Sequence, residues 1–312
     1  MPAILAIHGG AGVIPRSGMT PEFQASYHAA LRRSLLAGHA VLAAGGTSLD
    51  AVTQAVIAME DDPLFNAGHG AVYTSAGKQE MDAAVMNGAK REAGAVAGVL
   101  GPRNPILAAR AVLASEHVIL HGAGAEAFSR AHHIPDASAA YFFTRRRWDA
   151  LQAELERRRL AAVDTRSDAD RHGTVGAVAC DAHGHLAAAT STGGMTGKAP
   201  GRIGDTPIFG AGTWADDATC AVSATGAGEF FIRQAAAHEI ASRMRHGHET
   251  VDEAAQVVVT ELGLEGGSGG LIAVDAKGNV SLPFNCGGMY RGVIGLDGVP
   301  RTAIWREALQ AG

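Results

Sequence analysis

Cysteine is scarce in this chain of 312 residues: only Cys180, Cys220 and Cys286 are present, each far from the others. That excludes a disulfide framework and a Cys-x-x-Cys zinc site, and it predicts buried free thiols in a reducing compartment. Basic charge is not in excess, with 26 Lys and Arg against 31 Asp and Glu and a formal net charge of -5. No positive field is available to gather nucleic-acid phosphates. No apolar run approaches the length of a spanning helix. Residues 1–7 are apolar but lack a basic segment before them and are too short for a signal core. The expectation is a soluble cytoplasmic protein that binds neither nucleic acid nor membrane. Aromatic residues make up only 5% while hydrophobic residues reach 47%, so the core must be built from small, closely packed side chains.

What the chain has in quantity is glycine, 41 residues, against roughly 7% in an average protein. They follow no G-X-Y period, so collagen is excluded. Residues 3–7 read as a buried first strand ended by a glycine turn, and 21–44 have helical periodicity. A second helix is predicted from Thr47, where Thr47 and Asp50 suggest a cap, to about Met59. Residues 71–74, 81–86, 93–100 and 118–120 look strand-like, and 104–115 and 124–132 helical. Residues 144–172 differ in composition: 145–162 suits a solvated helix, and 163–173 reads as a mobile linker. After it, 174–179 and 185–190 alternate like a hairpin turning near His183 and Gly184. Strands are then expected at 220–224, 270–274, 280–282 and 292–294, and helices at 229–245 and 250–262. No repeat of solenoid length is present.

Several chemical patterns are weak in a chain so rich in Gly and Ala. Gly122-Ala123-Gly124-Ala125-Glu126-Ala127 has the letters of a dinucleotide loop, but no clear βαβ unit follows it. His238-Glu239 begins a zincin pattern, yet Ser242 stands where its second His is needed. His246 and His248 read as a helix-end polar pair. The run 266–270 is not a nucleophile elbow, lying between a helix and a strand, and it reads as a flexible turn. The stronger pattern is built on threonine. Thr174 opens a strand directly after the linker, and three glycine-rich loops carrying hydroxyls or charges follow: 190–194, 201–205 and 223–229. Thr commonly opens strands for its β-propensity, so Thr174 gains meaning only from those loops.

Read in order, HGGAG from His8, MEDDPLFNAGHGAV from Met59, HGTVGAVACD from His172, TSTGGMTGKAPGRIGD from Thr190 and VSATGAGEFFIR from Val222 resemble the plant-type L-asparaginase and isoaspartyl aminopeptidase family. That family belongs to the N-terminal-nucleophile hydrolases, and the likeness runs from His8 to the last strands. It implies an α/β (α+β) fold, a single four-layer αββα sandwich over 1–312. It also implies autoproteolysis between Gly173 and Thr174, dividing the chain into 1–173 and 174–312, with two copies of each fragment assembled as a heterotetramer. Thr174 would then hydrolyse L-asparagine and β-aspartyl dipeptides. A hydroxyl is a poor nucleophile without an adjacent base, and the freed α-amine, of pKa about 7.7 to 8.0, supplies one.

The same resemblance assigns Thr192 to orienting Thr174, and the Thr225 hydroxyl with the Gly226 N–H to holding the oxyanion. Arg202 and Asp205 clamp the substrate's α-carboxylate and α-ammonium, which suits the chemistry of both side chains. Gly226, Gly228 and Asn66 complete the substrate region. No catalytic cofactor is implied. A structural Na⁺ is, held by the backbone carbonyls of Met59, Glu60, Asp62, Phe65, Ala67 and His69; oxygen ligands suit a hard cation. Gly197 stands where relatives often carry Asn. Within the superfamily the alternative is a glycosylasparaginase-like or threonine-aspartase-like amidase, but those relatives typically have Asp before the nucleophile, where this chain has Gly173. A non-catalytic amino-acid binder using Arg202 and Asp205 is the alternative of a different class.

Overall fold

The structure, a computed structural model, describes residues 3–160 and 173–311. Its strands are β1 (Ile4–Gly12), β2 (Met81–Asn87), β3 (Glu92–Val99), β4 (Ile119–His121), β5 (Val175–Cys180), β6 (Leu186–Thr192), β7 (Thr213–Ala215), β8 (Cys220–Gly226), β9 (Gly269–Asp275), β10 (Val280–Ser281), β11 (Gly288–Ile294), β12 (Arg301–Ala303) and β13 (Gln310–Ala311). Its α-helices are α1 (Pro21–Ala43), α2 (Ser48–Glu60), α3 (Pro105–Leu113), α4 (Gly122–Ala131), α5 (Ala139–Phe142), α6 (Arg145–Leu160), α7 (Gly228–Gln234), α8 (Ala236–Gly247) and α9 (Val251–Leu264).

Nine strands form one sheet in the order β13-β12-β11-β1-β5-β6-β2-β3-β4, and β10-β9-β8-β7 form a second. Every ladder between named strands is antiparallel except β3 with β4. The central strands β1, β5 and β6 face β8 and β9 of the smaller sheet, while α1, α2 and α3 cover the other face of the large sheet and α8 and α9 cover the small one. Three apolar layers result: one under α1 to α3, one between the sheets, and one under α8 and α9. This is the expected αββα stack, in which each amphipathic element buries its apolar side against a neighbour. Because β5 and β6 are covered on both faces, all their residues are buried, and hydroxyls on them lie inside the protein.

Local signals explain the helices that define the frame. Thr20 accepts the Phe23 N–H and Pro21 opens α1, while Thr47 accepts the Asp50 N–H to open α2. Thr250 and Glu253 form a full capping box on α9, satisfying N–H groups that a helix start leaves unpaired. The hairpin β5–β6 forms as expected, with Cys180 opposite Leu186. The helix expected over 145–162 is α6; residues 161–172, which hold most of the expected linker, lie outside the described residues. Among the described residues no helix is long and apolar enough to cross a membrane. All three cysteines are free, and burial pushes the Cys180 and Cys220 thiols up to about 11 and about 12.

Three expectations are corrected. The first strand does not end at the glycine cluster: β1 continues through it, still paired to β11, with a register shift between His8 and Ala11. Residues 71–74 form no strand beyond a bridge from Thr74 to Lys198, because side chains take their backbone groups: Val72 N–H goes to Asn66 and the Ala71 carbonyl to Gln79. The helix expected over 229–245 breaks at Ala235, whose φ is +48°. There the Ala237 and His238 N–H groups reach the Ala211 and Gly210 carbonyls. The short elements α5, β7, β12 and β13 were not anticipated, being too brief to show a period.

Candidate active site

Register brings the first two threonines together. In the β5–β6 ladder Val175 lies opposite Ser191, so Thr174, one residue before β5, meets Thr192, the last residue of β6. The Thr174 hydroxyl donates to Thr192 Oγ1 at 3.0 Å, and Thr192 Oγ1 also accepts the Gly194 N–H at 2.9 Å. Both threonines are buried. The Thr192 oxygen thus fixes the direction in which the Thr174 hydroxyl proton points.

The bond between Gly173 and Thr174 is gripped from several sides. The Asn66 N–H donates to the Gly173 carbonyl oxygen at 3.3 Å, polarising the carbonyl that Thr174 would attack. The Asn66 side chain donates to the Gly194 carbonyl at 2.7 Å and accepts the Val72 N–H at 2.9 Å, tying the loop after β6 to the same point. A Cβ on Gly10 would come within 2.6 Å of the Gly173 Cα, so the glycine-rich stretch of β1 is what allows the two backbones to touch. The role of the Asn66 backbone was not visible in the sequence, since a backbone donor leaves no residue-type signal.

Thr225 and Gly226 end β8. Thr225 Oγ1 accepts the Ala11 N–H at 3.3 Å; the residue is fully buried and, unlike Gly226, does not line the cavity shared by Thr174 and Thr192. Gly226 is paired with Gly269; a Cβ at Gly226 would lie 2.4 Å from the Ser268 carbonyl oxygen, and one at Gly269 2.4 Å from that of Thr225. Part of the 266–270 run therefore packs against the end of β8 and is not a free turn.

Arg202 and Asp205 share a small cavity of about 10 Å³ with Thr174, Thr192, Met195 and Gly226. That space is close to the minimum for a single water. Arg202 is bidentate on Glu229, with Nε to Oε1 at 3.0 Å and Nη2 to Oε2 at 2.9 Å. Asp205 is buried, its Oδ2 has no hydrogen-bond partner among the described residues, and burial, opposed by the Arg202 charge, raises its carboxyl to about 7. A Cβ on Gly228 would fall 2.7 Å from Asp205 Oδ1, so Gly228 is a packing requirement of the acidic subsite. The partner of Arg202, Glu229, was not singled out from sequence although it ends the loop that carries Thr225. Asp82 was also missed: it lies opposite Thr192 in the β2–β6 ladder, is buried with Oδ2 unpaired, and burial raises its carboxyl despite the charge of Lys198.

The acidic side chains of the proposed cation loop make other bonds, although Glu60 Oε2 has no partner among the described residues. Glu60 Oε1 accepts from Ser191 Oγ at 2.6 Å and from the Ile106 N–H at 3.0 Å. Asp62 binds Arg33 and the Leu64 N–H. Among the described residues no group of three His, Cys, Asp or Glu side chains is arranged for a metal. The backbone carbonyls are a different matter. The Met59, Asp62 and Ala67 oxygens each accept an N–H from within the loop. Cβ atoms on Gly68 and Gly70 would fall 2.4 Å and 2.0 Å from the Glu60 and Phe65 carbonyl oxygens, so the loop closes tightly around them. Three of the six carbonyls named by the resemblance are thus already hydrogen-bonded within the loop, and its carboxylates form no cage.

A family model for asparaginase matches residues 1–304. An isoaspartyl peptidase of Salmonella typhimurium is 49% identical over 310 residues, covering 98% of this chain and 99% of the relative. That of Escherichia coli is 50% identical over 312 residues, covering 98% and 97%. A plant-type L-asparaginase of Pyrococcus abyssi is 40% identical over 291 residues, covering 90% and 92%. With a family model spanning nearly the whole chain and relatives matched end to end, this chain belongs to the asparaginase family.

Proposed function

We propose that the chain is a hydrolase that cleaves itself before Thr174 and then uses Thr174 to hydrolyse L-asparagine and β-aspartyl dipeptides. The observation that carries the reading is the Thr174 to Thr192 hydroxyl bond of 3.0 Å beside a Gly173 carbonyl polarised by the Asn66 N–H. In the uncut chain Thr174 Oγ attacks the Gly173 carbonyl carbon, and the oxyanion forms against the Asn66 N–H. The peptide C–N bond then breaks as nitrogen takes a proton, leaving an ester and a free α-amine. Water opens the ester, giving a Gly173 carboxylate and restoring the Thr174 hydroxyl.

The free amine then serves as base for its own hydroxyl. Thr174 Oγ attacks the substrate's side-chain carbonyl, the Thr225 hydroxyl and Gly226 N–H hold the oxyanion, and ammonia or the peptide amine leaves. Each oxyanion donor of this kind contributes about 2.7 to 4 kcal/mol. Water releases aspartate. The Asp205 carboxylate, whose Oδ2 has no hydrogen-bond partner among the described residues, receives the α-ammonium, and Arg202 turns its fork from Glu229 to the α-carboxylate. The backbone carbonyls of Met59, Glu60, Asp62, Phe65, Ala67 and His69 would hold a structural Na⁺ and so stiffen the loop around Asn66. The fragments assemble as two copies each, in the cytoplasm, where the three cysteines stay reduced.

The relatives from Salmonella typhimurium and Escherichia coli are named isoaspartyl peptidases and that from Pyrococcus abyssi an L-asparaginase, which supports both substrates. The test is release of aspartate from L-asparagine and from β-aspartyl-leucine by purified protein. Turnover of both is expected, and it is expected to vanish in Thr174→Ala. Absence of turnover on either substrate contradicts the reading and leaves an amino-acid binder.

A further inference from the structure

We infer that His8 is a positioning residue for Thr174: a neutral imidazole, locked in its Nδ1–H tautomer by a buried chain of hydroxyls, that donates to the Thr174 carbonyl and fixes the direction of the nucleophilic hydroxyl. The inference rests on Thr174 being the nucleophile. His8 Nδ1 lies 3.0 Å from the Thr174 carbonyl oxygen and Nε2 lies 2.9 Å from Ser223 Oγ. A carbonyl oxygen only accepts, so the ring proton is on Nδ1. A neutral ring then has a bare Nε2, which accepts from Ser223.

Proton counting extends the direction along the chain. With its proton committed to His8, Ser223 Oγ accepts from Thr190 Oγ1 at 2.8 Å. Thr190 in turn accepts from Thr213 at 2.7 Å, whose proton is shared with the Thr206 carbonyl at 3.0 Å. His8, Ser223, Thr190 and Thr213 are all fully buried. The chain thus runs between the two sheets, from the residue after Asp205 to the nucleophile's own backbone. Burial, opposed only by the Thr174 carbonyl, lowers the imidazole to about 3, so the ring is uncharged throughout the neutral range.

The strand geometry is shaped around this bond. His8 lies opposite Gly176 in the β1–β5 ladder, and a Cβ at Gly176 would fall 1.9 Å from Ser223 Oγ and 2.5 Å from His8 Nε2. Only glycine leaves room for the contact. Before the cut Thr174 is tethered on both sides. Once its amine is free, only its carbonyl side is anchored, and His8 supplies the hydrogen bond there.

Two measurements test this. In wild-type protein with ¹⁵N-labelled histidine, the His8 signals should report a neutral Nδ1–H ring that does not titrate between about pH 5 and 9. His8→Asn keeps a donor at the Nδ1 position, whereas His8→Gln moves the amide to the Nε2 position. His8→Asn should keep kcat within about tenfold of wild type, and His8→Gln should lose about 100-fold in kcat with KM little changed. An Nε2–H tautomer, a ring titrating in that range, or equal kcat in the two variants overturns the inference. If His8→Gln fails to fold, the ¹⁵N measurement on wild type decides. A wild-type protein that neither cuts itself nor turns over substrate would overturn the proposed function instead, because the tautomer is read without activity.

Discussion

Two side chains at the site make opposite demands. Thr192 is a neutral acceptor at 3.0 Å from the Thr174 hydroxyl, so Thr192→Val should keep the shape and remove the acceptor. We expect kcat on L-asparagine to fall about 100-fold or more, the scale of a lost proton-handling partner, with KM little changed; an unchanged kcat would remove Thr192 from the mechanism. Asp205 instead carries a cost. Its folded carboxyl is raised from 3.8 to about 7 by burial, so the folded protein holds a proton that the unfolded chain releases, and stability falls as pH rises through that window. In uncut Thr174→Ala protein, adding Asp205→Asn should give a melting-temperature advantage that widens from about pH 4 to about pH 7 and is level above it. A gap constant across pH would contradict the buried, unpaired carboxyl. Hydroxyls and charges in glycine-rich loops singled out Thr174, Thr192, Thr225, Arg202 and Asp205 in the sequence, while their roles came from the resemblance alone. His8 was not, because its meaning lies in Ser223, 215 positions away, and a lone histidine in an apolar strand has no local signature.

Among the elements, helices with a clear period were legible, α2 with a capping signal besides, and the break shaped by distant carbonyls was not. Thr20, Thr47 and Thr250 mark the starts of α1, α2 and α9. Nothing local marks the break between α7 and α8, since Ala235 lies among two further alanines, strong helix formers, and its left-handed φ of +48° is imposed by loop carbonyls. An alanine in that region costs roughly 1 kcal/mol that glycine avoids. Ala235→Gly should therefore raise the melting temperature by about 2 °C, measured by calorimetry on uncut protein; a fall would mean that the left-handed turn is absent. The continuation of β1 through HGGAG was hidden for a related reason. Glycines usually punctuate strands, but Gly10 is needed here for contact with Gly173.

At the scale of the whole molecule, the proposed cut falls inside a shared core. Strands β1 to β4 precede residue 173 and all others follow it, yet β1 is paired with β5 and β11, and β2 with β6. The two fragments should therefore coelute as one particle on a native sizing column and separate only in denaturant. Fragments that part under native conditions would contradict the shared sheet. The layered class came from the resemblance of ordered motifs, while the order of strands in the large sheet was not legible, since its pairings join segments far apart in sequence. The most direct test of the account is the mass of denatured, purified protein. Wild type should give two fragments, of 173 residues and of 139 residues beginning at Thr174, and Thr174→Ala a single full-length chain; an active wild-type enzyme that remains whole, or a Thr174→Ala protein that is still cut there, would contradict Thr174 as the nucleophile.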